Sequence, residues 1–234
     1  MKIWTALGLS LAMVVASPAM AATNLVTNGS FESGFTGWTV GQTGGGTAPV
    51  VIPYGSATPY PGGAFGEAIL PNAVATLSPD PVGNSVAYFS SDTANPHSLS
   101  QLVNLVAGIT YNIGFDYYAP QNGISNPNDA TLSFNIGGVP VGSTLTAGQP
   151  SGTPGQTWIN FGTSFVASGS GSTPLELQFK GLGVTAADFA IDRVYVTAAV
   201  PEPSTWALML LGFGAVGGAM RMKRRKTNTA LSYA

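Results

Sequence analysis

The chain has 234 residues, no cysteine, one histidine and a formal net charge of −2. The absence of cysteine excludes disulfide bonds, thiolate metal sites and cysteine nucleophiles, and one histidine is too few for a histidine-based zinc site. Glycine (31 residues) and proline (17 residues) are abundant and separate short apolar runs, which is typical of all-β proteins.

The N-terminus has the three zones of a secretory signal peptide. Lys2 supplies a positive charge, residues 3–16 form an apolar run, and the small residues of 17–22 suit a peptidase. We therefore expect residues 1–22 to enter the Sec translocon and to be removed by signal peptidase. A membrane anchor is the alternative, but a span needs roughly 20 apolar residues and this run is shorter.

Residues 23–198 have a reasonable size for one domain with its own core. Only Lys180 and Arg193 are basic in this segment, against nine acids, so its formal balance is −7. So few basic side chains cannot neutralise a phosphate backbone, which argues against nucleic acid as a partner and favours cations or neutral ligands.

Alternating apolar and polar residues predict strands with one wet face at 111–117, 132–136 and 175–179. Further strands are expected at Leu25–Phe31, Trp38–Val40, Val50–Ile52, Ser85–Ser90, Leu99–Val106, Trp158–Val166 and Phe189–Thr197. No stretch of the domain has a helical apolar period. The predicted fold is therefore all-β, a two-sheet antiparallel sandwich with jelly-roll topology.

Two positions stand out in this pattern. His97 follows a proline and is expected in an exposed loop. The apolar residues of the last strand change parity between Ile191 and Val194, so either a bulge near Asp192 or Arg193 or burial of both faces is expected. Asp192 then lies among apolar neighbours and needs a partner.

The C-terminus combines three features in order. Pro201-Glu202-Pro203 precedes the nearly uncharged run Thr205–Met220, and a basic cluster follows. The cluster consists of Arg221, Lys223, Arg224, Arg225 and Lys226. A helix of Thr205–Met220 would be about 24 Å long, and snorkelling basic side chains could extend it to the roughly 30 Å of a bilayer core. We expect a single transmembrane helix with the domain outside and a cytoplasmic tail at 227–234; a buried core helix is the alternative.

Residues 199–226 resemble the PEP-CTERM sorting signal in its PEPxxWA variant. In that family, the tail retains the protein in the inner membrane until an exosortase, a membrane cysteine transpeptidase, processes it near the Pro-Glu-Pro. The resemblance implies an exported protein of a Gram-negative bacterium that is held transiently in the inner membrane. It is then transferred to the cell surface or to the exopolysaccharide matrix of a biofilm.

Three landmarks of the domain carry a second resemblance. They are Asn24–Glu32 with Gly37-Trp38, Leu99–Gln101 leading to Ala107–Tyr111, and Ala190–Val194. In this order they resemble galactose-binding-like jelly-roll modules, a plan that many carbohydrate-binding modules share. This fold hosts adhesins, enzyme appendages and structural modules alike, so it does not fix the function.

In several such modules the acids of the first and last strands share a structural calcium. The matching positions are Glu32 and Asp192, and calcium would also accept the backbone carbonyl of Ser30. Without a cation, two carboxylates brought together would repel each other. The alternative is that Glu32 is a solvated turn residue and that Asp192 pairs with Arg193 or another group.

Aromatic residues on loops or strand ends are candidates for sugar binding, because an aromatic face matches the apolar C–H face of a pyranose. The candidates are Tyr54, Tyr60, Tyr118 and Trp158, with Asn122, Asn126 and Asn128 near them in sequence.

The sequence favours a non-catalytic module that binds exopolysaccharide or surface glycan. It contains no Gly-x-Ser-x-Gly nucleophile motif. A glycan hydrolase that uses two carboxylates remains open, since such an enzyme needs only a suitably spaced pair of acids. A structural matrix protein without a specific ligand is the third hypothesis.

Overall fold

The computed structural model describes residues 22–42, 44, 47–56, 68–91, 93–120, 130–146, 156–181, 187–199 and 203–227. Residues Ala22–Ala199 form one compact unit, and the C-terminal helix is described by itself. The expected signal peptide, residues 1–22, lies outside the described residues except for Ala22.

The described strands of the compact unit form two antiparallel sheets, which confirms the predicted fold class. The first sheet has the order β1-β4-β10-β6-β7, with β8 also paired to β6, and the second has the order β2-β3-β11-β5-β9. The strands are β1 (Thr39–Gln42), β2 (Val50–Pro53), β3 (Ser85–Ser91), β4 (Pro96–Leu105), β5 (Thr110–Tyr118), β6 (Ala130–Ile136), β7 (Val139–Pro140), β8 (Leu145–Thr146), β9 (Trp158–Val166), β10 (Gly171–Gly181) and β11 (Ala187–Ala198).

The main core lies between the two sheets. Successive side chains of a strand point to opposite faces, so every second residue of the alternating segments enters this core. Phe179 of the first sheet contacts Phe89 and Phe189 of the second, with ring centroids 5.7 and 6.3 Å apart. Such aromatic pairs add to the burial of apolar area that stabilises a chain without disulfides.

The segment Leu25–Phe31, predicted as a strand, instead forms turns. The Asn28 side chain donates hydrogen bonds to the carbonyls of Gly34 (2.9 Å) and Thr36 (3.1 Å). The backbones of Asn28 and Phe31 have positive φ angles of 54° and 57°, which a strand does not contain. The prediction was wrong because the asparagine side chain organises the local backbone into turns.

His97 lies in β4 and not in an exposed loop. Its Cα is paired with Gln42 of β1 and Phe179 of β10, and the side chain is 1% exposed. The prediction failed because the strand begins at Pro96, directly before the histidine. Burial lowers the pKa of His97, so the imidazole is neutral in the core.

The predicted irregularity of the last strand is a β-bulge. The register between β11 and β5 shifts between Asp192 and Tyr195, and Arg193 has a φ of 48°. The extra residue restores the alternation, so that Ile191 and Val194 both enter the main core.

The C-terminal helix α1 spans Pro203–Thr227 and includes the apolar run Thr205–Met220. Within the part of the chain that the structure describes, no helix is both long and apolar enough to cross a bilayer. The transmembrane helix expected over Thr205–Met220 is therefore not shown and stays a prediction.

Candidate functional site

The outer face of the second sheet carries a small second core. Val86, Tyr88, Tyr118, Trp158 and Ala190 point away from the main core and pack with one another. Residues 68–83, which we call the cover segment, lie over this face without forming a helix or strand. Ile69 of the cover segment is fully buried there, and its carbonyl accepts a hydrogen bond from the Gly55 N–H at 2.8 Å.

Three of the four aromatic residues predicted for sugar binding meet at this face. The ring centroid of Trp158 is 5.8 Å from that of Tyr54 and 5.5 Å from that of Tyr118. The Trp158 indole N–H donates to the Leu70 carbonyl at 2.6 Å, which ties the ring to the cover segment. The fourth candidate, Tyr60, lies outside the described residues, as do Asn122, Asn126 and Asn128.

A cavity of about 380 Å³ opens beside these rings. Its lining consists of Leu70, Pro71, Ala73, Val74, Tyr118, Gln156, Thr157 and Trp158. Gln156 and Thr157 are exposed, whereas Tyr118 and Trp158 are buried behind them. The cavity therefore has exposed polar groups at its rim and the largely buried rings of Tyr118 and Trp158 in its lining, and its volume is in the range of small-ligand sites.

A network of buried charges lies on the same face, between β5, β11 and the cover segment. Asp116 and Asp192 are directly opposite each other in the register, and both are fully buried. The Arg193 guanidinium donates through Nε to Asp116 Oδ2 at 2.6 Å. Its second terminal nitrogen donates to Asn72 Oδ1 (3.1 Å) and to the Val74 carbonyl (2.6 Å). One arginine thus neutralises a carboxylate and holds the cover segment.

Asp192 has partners, as its apolar surroundings predicted. Its Oδ2 accepts hydrogen bonds from the Tyr54 hydroxyl at 2.6 Å and from Asn72 Nδ2 at 3.2 Å, and its Oδ1 accepts one from the Arg193 backbone N–H at 2.7 Å. Burial nevertheless raises the pKa of Asp192 to about 6, because desolvation of the carboxylate outweighs these hydrogen bonds. Burial and the neighbouring Asp192 carboxylate also raise the pKa of Tyr54, so its phenol stays protonated and donates.

Three residues of this network were missed at the level of sequence. Asn72 donates to Asp116 Oδ2 at 2.9 Å and bridges both carboxylates, and Asn160 donates to Asp116 Oδ1 at 2.8 Å. Asp116 is a polar residue of an alternating strand, so the alternation placed it on a wet face, whereas Asn160 was only part of the strand expected at 158–166. Nothing in the alternation could show that the cover segment buries that face.

The structure gives Glu32 and Asp192 separate partners. Glu32 Oε1 accepts hydrogen bonds from the backbone N–H groups of Asn84 and Ser85, each at 2.8 Å, at the start of β3. Asp192 is surrounded by N–H and O–H donors, which oppose a cation. This geometry does not fit a calcium ion shared by the two carboxylates, and no cluster of three metal-ligating side chains occurs among the described residues. Ser30, the third residue predicted to bind calcium, lies in the turns before β1.

Of the sorting residues, Pro201 and Glu202 lie outside the described residues, and Pro203 is the first residue of α1. The basic residues Arg221, Lys223, Arg224, Arg225 and Lys226 fall within the last turns of the helix. Positive charge at the C-terminal end of a helix is favourable because it opposes the helix dipole.

Residues 199–225 match the family model of the PEP-CTERM protein-sorting motif. No curated protein sequence matches the chain. Among solved structures, the chain is similar to TmCBM61 in complex with β-1,4-galactotriose, with 18% identity, a TM-score of 0.50, and coverage of 76% of this chain and 100% of that chain.

Two further structures are similar. A Stig cyclase, Fisc from Fischerella sp. TAU, is 14% identical with a TM-score of 0.50, and the match covers 78% of this chain and 100% of that chain. The CBM22-1 xylan-binding domain from Paenibacillus barcinonensis is 16% identical with a TM-score of 0.44, covering 79% and 99%. At these identities the likeness concerns the fold. The chain carries a PEP-CTERM sorting motif downstream of a unit with the jelly-roll fold of carbohydrate-binding modules.

Proposed function

We propose that the protein is an exported, non-catalytic module that binds glycan at the cavity beside Tyr118 and Trp158. The observation that supports this proposal is that Tyr118 and Trp158 line one cavity, with Tyr54 packed against Trp158. A sugar ring requires an apolar platform and a few hydrogen-bonding groups around it, and the cavity offers both. The glycan complex of TmCBM61, which has a similar fold, makes a glycan the first ligand to test.

The sorting motif determines where this binding would take place. A PEP-CTERM motif implies export and processing by an exosortase. After processing near Pro201-Glu202-Pro203, the module would remain at the cell surface or within the exopolysaccharide. Glycan binding would then retain the protein in the matrix that surrounds the cell.

Asp116 and Asp192 bear on the alternative of a glycan hydrolase, because such enzymes use a pair of carboxylates. Both acids are fully buried, and their oxygens are occupied by Arg193, Asn72 and other donors. As far as the structure describes the chain, the cavity lining includes neither of them. A catalytic acid must reach the glycosidic oxygen, so this arrangement favours binding over hydrolysis.

The test incubates the full chain with the exopolysaccharide of its own host and measures co-sedimentation together with release of reducing sugar. Retention in the pellet without sugar release is the expected result. Sugar release would instead support the hydrolase, and a chain that stays in the supernatant would support a structural protein without a specific ligand. Either of these two results would contradict the proposal.

The calcium ion that the resemblance implies at Glu32, Asp192 and Ser30 has a simple test of its own. A structural calcium ion adds its binding free energy to folding, so chelation would lower the melting temperature. The arrangement of Glu32 and Asp192 leads us to expect the same melting temperature in calcium and in EDTA. A lower melting temperature in EDTA would show that the chain holds a calcium ion after all.

A further inference from the structure

Three loops form one end of the sandwich, which we call the apolar end: residues 105–110, 136–141 and 165–173. Hydrogen bonds join the first and third of these loops. The Gly108 N–H donates to the Ala167 carbonyl at 2.8 Å, and the Ala167 N–H donates to the Ile109 carbonyl at 3.0 Å. The Ala107 N–H also donates to Ser170 Oγ at 2.9 Å. The second loop is held to β10, because the Gly137 N–H donates to the Pro174 carbonyl at 2.8 Å.

The surface of the apolar end is rich in exposed aliphatic side chains. Val139 is 64% exposed and Val166 is 61% exposed, and Val106 and Ile109 are also exposed. Val139 and Val166 line a cavity of about 490 Å³, whose lining is mainly apolar and also includes Leu105, Ile136 and Val141. Single exposed aliphatic residues are ordinary, but a contiguous group around an apolar cavity marks an interaction surface.

The charge of the apolar end differs from that of the rest of the unit. The three loops contain no Asp, Glu, Lys or Arg, although residues 23–198 carry nine acids. An uncharged surface with exposed aliphatic residues suits a lipid surface, because no carboxylate must be desolvated on contact.

The chain leaves the compact unit at this same end. The Ala199 N–H donates to the Thr110 carbonyl at 2.8 Å, and Ala199 is the last residue of the unit. The sorting motif covers residues 199–225, so it starts at the residue that this hydrogen bond holds to the apolar end. An exosortase, which acts in the membrane, would process the chain within a few residues of this point.

We propose that the apolar end is a docking surface for a lipid bilayer, with the side chains of Val106, Ile109, Val139 and Val166 entering its interfacial layer. The contact is shallow and reversible, and it keeps the exit point of the chain near the bilayer until processing. This lipid contact involves the apolar end and does not depend on glycan binding at the cavity beside Trp158.

The test uses the absence of cysteine in the chain. Three single-cysteine variants of the full chain, Val139→Cys, Val166→Cys and the control Leu77→Cys, are labelled with an environment-sensitive fluorophore and mixed with phosphatidylcholine vesicles. Leu77 is a matched control because it is an aliphatic residue of the cover segment with 66% exposure. The expected result is a blue shift, with quenching by spin-labelled lipid, at positions 139 and 166 but not at 77.

Other outcomes would overturn the proposal. Labels at 139 and 166 that stay in water exclude lipid contact, and equal shifts at all three positions exclude a contact specific to the apolar end. A blue shift without vesicles that grows with protein concentration would assign the surface to a second copy of the chain. As a second check, Val139→Glu should abolish the quenching of a label at Ile109→Cys, whereas Leu77→Glu should leave it unchanged.

Discussion

Asp192 faces Asp116 across the β11–β5 register, and like charges in that position destabilise a sheet. Arg193 pairs with Asp116, which leaves Asp192 dependent on hydrogen bonds from Tyr54, Asn72 and the Arg193 backbone. The raised pKa of Asp192 records the remaining cost of burying a second carboxylate. The same Asp192 side chain accepts the hydrogen bond of the Tyr54 hydroxyl and so holds the Tyr54 ring beside Trp158.

The raised pKa of Asp192 predicts a pH dependence of stability. The usual pKa of an aspartate is about 3.9 and that of folded Asp192 is about 6, so between these values the folded state binds more protons than the unfolded state. The contribution of this group to the free energy of unfolding therefore falls by roughly 2–3 kcal/mol as the pH rises from about 4 to 6.

Urea unfolding of the parent chain and of Asp192→Asn across this pH range measures that contribution. The variant cannot ionise at this position and should lose the part of the fall in stability between pH 4 and 6 that Asp192 contributes. A variant with the same pH slope as the parent would show that Asp192 does not titrate in this range.

At the scale of elements, β5 and β9 approach closely at a pair of glycines. Gly114 and Gly162 are opposite each other in the register, and Tyr195 is the partner of Gly114 on the other side. A Cβ at Gly114 would collide with the Phe161 backbone carbonyl and lie 2.6 Å from the Tyr195 hydroxyl. A Cβ at Gly162 would lie 3.0 Å from the same hydroxyl and would meet only side-chain ends.

The two glycines form a matched pair for mutation. Gly114→Ala should destabilise the unit by about 3 kcal/mol or more, because the backbone of β9 must move, whereas Gly162→Ala should cost under about 1.5 kcal/mol. Denaturant unfolding of both variants measures the difference. Equal losses of stability would contradict the close approach of β5 and β9 at Gly114.

The alternation of apolar residues predicted most strands, because a two-sheet sandwich imposes that alternation directly. The segment 158–166 was predicted with the bounds that the structure has. The change of parity after Ile191 predicted either a bulge or burial of both faces, and the structure shows both. At Asn28, side-chain hydrogen bonds form turns where the sequence had predicted a strand. The sequence could suggest Tyr54, Tyr118 and Trp158, because aromatic side chains are typical of sugar-binding sites. It could not suggest Asn72 or the burial of Asp116, because both depend on the path of the cover segment, which has no periodic pattern.

For the whole molecule, we expect the sorting motif to direct where the folded unit is delivered. Deletion of Pro201–Lys226 removes both the processing site and the tail, and should release an unprocessed protein into the medium. Immunoblots of membrane, surface and medium fractions measure the distribution. An unchanged distribution in the deletion variant would contradict the sorting role of the motif. That result would not bear on the fold of Ala22–Ala199.

The proposed function depends on glycan binding at the cavity beside Trp158, and two alanines of the cover segment test this binding directly. Ala73 and Ala75 are both exposed, but of the two only Ala73 lines the cavity. An arginine at position 73 would occupy the cavity, whereas an arginine at 75 would extend from the surface of the same segment. The measurement is co-sedimentation of Ala73→Arg and Ala75→Arg with the host exopolysaccharide. We expect loss of binding in Ala73→Arg and parent-like binding in Ala75→Arg. Parent-like binding in both variants would contradict glycan binding at this cavity.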